Sequence, residues 1–183
     1  NFFVSGADDS LMKGWDLRTC GGGGVKGGGG GWGASPAFVQ RGTHVAGVTT
    51  GAWHPTAEHC FVSGSYDEFI RLWDARILRK PAAEHRAAGG VWRLAWHPSP
   101  ARGGLLLAAC MHGGVEIVSF GSNGDGGNGA SDDSSGGSDS EPAVVARFTD
   151  HASMAYGADW CHLAGSSLVA SCSFYDRRLG LWQ

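Results

Sequence analysis

Apolar residues along this chain gather in short runs, and each run ends at residues suited to tight turns. His54-Pro55, Asp67-Glu68, His112-Gly113-Gly114 and Asp176-Arg177 each separate two stretches rich in Val, Leu, Ile, Phe and Trp. β-Branched and aromatic runs interrupted in this way predict antiparallel strands linked as hairpins. The spacing predicts strands near 48–53, 91–96 and 155–160, followed by strands near 60–64, 104–110 and 167–172. A third set falls near 69–73, 115–119 and 178–182, and short outer strands near 37–40, 83–87 and 143–148. Residues 2–5 and 11–15 supply the second and third strands of an earlier unit.

These units repeat. Phe2-Phe3-Val4-Ser5-Gly6-Ala7-Asp8-Asp9 through Trp15-Asp16 matches Phe61-Val62-Ser63-Gly64 through Trp73-Asp74, and Tyr175-Asp176 through Trp182 repeats the second half. An Asp stands six residues before a Trp in each: Asp9 and Trp15, Asp67 and Trp73, Asp176 and Trp182. Gly51-Ala52-Trp53-His54-Pro55 recurs as Leu94-Ala95-Trp96-His97-Pro98 and, more loosely, as Ala158-Asp159-Trp160-Cys161-His162. The 43 residues from Trp53 to Trp96 match the roughly 40–45 of a four-stranded propeller blade. The pattern resembles the WD-repeat family and implies an all-β, partial β-propeller of four-stranded antiparallel blades. The expected blades are about 1–40, 44–87, 90–149 and 151–183, some four from a ring of about seven.

Composition changes this picture only locally. Of the 32 glycines, 17 lie in residues 20–33 and 121–142, tracts too polar and too Gly-rich to bury a core. Both are expected as flexible insertions, on the disk face opposite the 110–114 turn. The net charge is −3, and outside the acidic second tract the charges nearly balance, which gives no electrostatic case for nucleic acid. No apolar run reaches the roughly 18 residues of a membrane span. Five cysteines without paired spacing point to a reducing compartment, the cytoplasm.

His44, Ser63 and Asp67 have the residue types of a catalytic triad. In WD-repeats these positions instead form a buried hydrogen-bonded chain with the third-strand Trp, here Trp73, and the resemblance assigns them that structural role. Ser5, Asp9 and Trp15 suggest the same device, as do His151, Asp176 and Trp182 with Cys172 in the serine's place. The third repeat carries Ala109, Gly113 and Ser119 where Ser63, Asp67 and Trp73 are expected. A degenerate blade explains this, but it also frees Cys110 and His112 at a turn for chemistry.

Five segments of one disk face carry a narrower resemblance. Gly64-Ser65-Tyr66-Asp67-Glu68, Gly89-Gly90-Val91-Trp92-Arg93, Ala108-Ala109-Cys110-Met111-His112, Tyr156-Gly157-Ala158-Asp159-Trp160 and Cys172-Ser173-Phe174-Tyr175-Asp176 are similar to the diphthine methyl ester hydrolase family. The family hydrolyses the methyl ester of diphthine, a modified histidine of translation elongation factor 2, before amidation to diphthamide. The resemblance thus implies a cofactor-free esterase with elongation factor 2 as partner. For general base His112 is favoured, since an imidazole exchanges protons near neutral pH. Cys110 is a nucleophile candidate ranked below water. Asp159 or Asp176 can orient the imidazole or bind charge, and Arg93 or the Gly113 and Gly114 amides can face the oxyanion. Trp92, Tyr66, Tyr156 and Tyr175, with Glu68, are candidates for holding diphthine's quaternary ammonium. No metal-ligand spacing, nucleophile elbow or phosphate-binding loop competes. The alternative is a non-catalytic scaffold that docks a protein or peptide on the same face.

Overall fold

The computed structural model describes residues 2–18, 35–121 and 141–183. Most of both glycine-rich tracts lies outside these described residues.

Among the described residues, fourteen strands form four antiparallel sheets. The first contains β1 (Phe2–Gly6), β2 (Met12–Asp16) and β3 (Phe38–Gln40), and the second β4 (Val48–Trp53), β5 (Cys60–Ser65), β6 (Phe69–Asp74) and β7 (Ala83–Arg86). The third contains β8 (Arg93–Trp96), β9 (Leu105–Ala109), β10 (Val115–Ser119) and β11 (Ala143–Phe148), and the fourth β12 (Ala155–Trp160), β13 (Val169–Ser173) and β14 (Arg178–Trp182). Sequence neighbours pair throughout, and one short 3-10 turn, Pro100–Arg102, interrupts the β8 to β9 connection. This is an arc of the propeller that the repeat predicts, with β4, β8 and β12 as inner strands.

Each sheet has two apolar faces, and the core accordingly forms between sheets. Met12, Phe61 and Trp73 fill the first seam; Val62, Ile70, Val91, Trp96 and Leu106 the second; Leu107, Val115, Ala155, Trp160 and Val169 the third. The inner-strand indoles bind across these seams. Trp96 Nε1 donates to the Ala52 carbonyl at 3.3 Å, and Trp160 Nε1 to the Ala95 carbonyl at 2.9 Å.

The seams are also matched in size. A Cβ added at Gly6 or Gly64 would lie 2.5 Å from a Cγ1 of Val48 or Val91, the first inner residue of the next blade. At the third seam the equivalent pair is Ala109 and Ala155, both fully buried.

The His-Pro turns close the opposite end of the disk from the 110–114 turn. His54 Nδ1 accepts from the Ala57 amide at 2.8 Å and His97 Nδ1 from the Ser99 amide at 3.0 Å, while each ring packs on the next blade's Trp. The connections from β2 to β3 and from β10 to β11, which contain the two tracts, depart from this end.

Candidate functional site

The second blade contains the complete buried chain. Trp73 Nε1 donates to Ser63 Oγ at 2.7 Å, Ser63 Oγ lies 2.8 Å from His44 Nε2, and His44 Nδ1 lies 3.1 Å from Asp67 Oδ2. Arg71 extends it, donating to Asp67 at 2.8 Å and to Glu84 at 2.7 Å. Burial, with Arg71 nearby, pushes the His44 imidazole below its ordinary value. Burial works the other way on Asp67, but the Phe69 amide and Arg71 hold its carboxyl below the usual range. These groups satisfy one another inside the sheet, which makes them architectural.

The fourth blade corrects the sequence reading. Its serine is Ser171: Trp182 Nε1 donates to Ser171 Oγ at 3.2 Å, His151 Nε2 lies 3.0 Å from it, and His151 Nδ1 lies 3.2 Å from Asp176. Cys172 does not replace the serine. The β13 to β14 turn is one residue longer than the β5 to β6 turn, so counting back from Asp176 lands one position late.

The third blade needs the same adjustment. Ser63 pairs with Arg71, Ser171 with Gly180 and Ala108 with Glu116, so Ala108 is the serine's equivalent and not Ala109. By the same register Val118, not Ser119, stands for Trp73, and His112, not Gly113, for Asp67. The indole chain is absent from this blade. In its place Glu116, fully buried, meets Arg147 at 2.8 Å and, across the seam, His85 of β7 at 3.3 Å. Burial opposes its ionisation, yet His85 and Arg147 hold the carboxyl below its usual value. The Arg71–Glu84 pair of the second blade is inverted here to Glu116–Arg147.

β-Bulges at the inner-strand entries build the mouth on the face of the 110–114 turn. The pairing of β4 with β5 skips Thr49, that of β12 with β13 skips Tyr156, and Trp92 and Arg93 both oppose Ala109. An extra residue in a strand re-aims its side chain, and here it brings Thr49, Trp92 and Tyr156 toward one cavity. Arg93 and Asp159 line the same cavity, whose volume is about 520 Å³. The Thr49 hydroxyl bonds the carbonyls of Val91 and Gly64, tying the second blade to the residue just before Trp92.

An aromatic chain crosses the mouth. Tyr66 and Trp92 have ring centroids 5.9 Å apart, Trp92 and Tyr156 5.1 Å, and Tyr156 and Tyr175 6.1 Å. Burial and the neighbouring Tyr175 hydroxyl push the Tyr156 phenol up.

The other candidates separate. Cys110 is fully buried in the second seam, its thiol pushed far up by burial and then by Glu116, which is the opposite of an activated nucleophile. Asp176 is committed to His151 and the Ala152 amide and is not free to orient a catalytic imidazole. Glu68 pairs with Arg86 at 3.0 Å and lies outside the cavity lining. His112 is exposed on the mouth face, also outside that lining. The sequence reading missed Thr49, Glu116, His85 and Arg147.

Comparison with known proteins adds the family. The model of the WD domain, G-beta repeat, matches residues 38–74, the stretch from β3 to β6 that holds the complete indole chain. The diphthine methyltransferase of Mus musculus is 35% identical over 176 residues, covering 94% of this chain and 30% of that protein. The Homo sapiens diphthine methyltransferase is 36% identical over 170 residues, covering 93% of this chain and 31% of its own length. A solved structure described as "Crystal Structure of Mitotic Checkpoint Complex" superposes with a TM-score of 0.70 over 98% of this chain and 44% of that one, at 17% identity, and so supports the fold alone. The chain thus spans about a third of the length of these two relatives, and across that span it is similar to proteins named diphthine methyltransferase, on a WD-repeat fold.

Proposed function

We propose that the whole protein hydrolyses the methyl ester of diphthine on translation elongation factor 2, a step of diphthamide biosynthesis, and that the bulge-built mouth is where it does so. The relatives' name supports methyl chemistry on diphthine. The observation that carries the choice of site is the convergence of Trp92, Tyr156, Arg93 and Asp159 on one cavity. In this reading the aromatic chain holds the quaternary ammonium, a cation that cannot donate a hydrogen bond and is best met by ring faces. Arg93 supports the oxyanion and Asp159, in the same lining, adds a compensating charge. The water oxygen bonds to the ester carbon, the bond to the methoxy oxygen breaks, and methanol, a carboxylate and one proton result.

Methanol release from elongation factor carrying methylated diphthine is the test. Turnover by the whole protein is expected, and its loss on Arg93→Ala without loss of folding. Trp92→Ala and Tyr175→Ala should weaken binding of methylated diphthine more than that of a neutral dimethylamine analogue. A second reading draws on the exposure of Tyr66, Trp92 and Tyr175, at 40%, 40% and 60%. Such rings also suit a scaffold that docks a protein without turnover. Tight binding with no methanol formed would favour the scaffold and overturn the esterase.

A further inference from the structure

The charged groups of the second and third blades are largely spoken for. Arg71, Arg86 and Arg147 each rest on a carboxylate. Arg93 is different: it is exposed, lines the 520 Å³ cavity beside Trp92, Tyr156 and Asp159, and has no carboxylate within ion-pair distance among the described residues. It occupies the inner-strand place held by Thr50 in the second blade and Gly157 in the fourth, so blade architecture does not call for a guanidinium there. A planar fork of donors left unpaired next to aromatic faces is suited to a bidentate carboxylate.

We propose that Arg93 makes this mouth a receptor for a carboxylate lying next to a ring-held cation, so that the site retains the acid product in preference to the ester. The inference rests on the esterase reading. An ester offers Arg93 only a neutral carbonyl oxygen, whereas the product offers two charged oxygens in the geometry of its fork. Product therefore accumulates on the protein unless a following reaction consumes the carboxylate.

Glycine betaine and its methyl ester are the probes, titrated calorimetrically into the whole protein. Wild type is expected to bind glycine betaine about tenfold or more tightly than the methyl ester, the scale of one charge-assisted bidentate pair. Arg93→Met should bring the two affinities together at an unchanged melting temperature, and Arg93→Lys should restore part of the preference. Equal binding by wild type, a preference that survives Arg93→Met, or no binding of either probe would each overturn the proposal. Methanol release by wild type separates the two ideas. Carboxylate preference without methanol sinks the esterase and leaves the receptor, and methanol without preference does the reverse.

Discussion

The second and third blades share a strand order and a pairing register, yet they solve the problem of buried polarity in opposite ways. The second closes its polar groups on themselves: Trp73, Ser63, His44 and Asp67 run from indole to carboxylate within one sheet, with Arg71 behind them. The third has no such chain, and its buried charge, Glu116, reaches out to the preceding blade through His85 and toward solvent through Arg147. With this tie in place the third blade does without the internal chain. The positions so released lie beside the mouth, with His112 standing in the place of Asp67.

The largest effect that tests this contrast comes from removing the two carboxylates. Asp67→Leu should cost about 3–5 kcal/mol, because His44 and Arg71 are left buried without it. Glu116→Leu should cost about 1–3 kcal/mol, since the Arg147 side chain is 53% exposed and can be hydrated. Denaturant midpoints of the two variants decide the matter, and equal costs would break the comparison. Trp73→Phe comes next, at about 1–3 kcal/mol for the lost indole donor, with methanol release by the folded variant unchanged. Loss of turnover at wild-type stability would make the chain functional instead of architectural.

Acid sharpens the comparison further. His44, Asp67 and Glu116 are all held below their ordinary values of 6.5, 3.8 and 4.5, so the unfolded chain takes up each proton first. Their stabilisation is complete above those values and is lost as the pH falls through them toward the folded-state values. Urea midpoints measured against pH should therefore begin to fall below about pH 6.5. His44→Gln should flatten that first decline in part, since burial also holds His54 and His97 below 6.5, and Glu116→Gln only the part below about pH 4.5. The smallest effect is that of Thr49→Val, which keeps the shape but unties the Val91 carbonyl. It should weaken ligand binding at the mouth about twofold to fivefold for a stability cost of about 0.5–1 kcal/mol. No change in affinity would show that Trp92 needs no help from the second blade.

Much of this architecture can be read directly from the chain. Strand positions follow from the Asp-to-Trp spacing and the alternating runs, and the second blade's chain is what the resemblance to WD-repeats implies. What escapes is register where a turn changes length: with one more residue between β13 and β14, Cys172 looks like the serine when Ser171 fills the role. The third blade hides its register for a related reason, since no Trp marks the end of its third strand. Nothing in the sequence marks Glu116 before pairing sets it across from Ala108, and no periodicity announces the bulges that turn Trp92 and Tyr156 toward the mouth. Cys110 looked chemically available because it neighbours a turn, but its side chain points into a seam.

The matched sizes along the seams bear on how such a chain can evolve. Gly64 admits Val91 and Ala109 sits with Ala155, so a methyl group gained on one blade has to be surrendered by the next. Blades of one propeller look like interchangeable copies, but a duplicated or transplanted blade arrives with edges cut for its former neighbours. Drift at these positions must be coupled: Gly64→Ala alone is barred, and relieving it calls on both Val91 and Thr50, whose Cγ2 would lie 2.9 Å from the added methyl. The ring is thereby kept in a fixed sequence of blades, and residues far from any ligand preserve which three blades meet at the mouth.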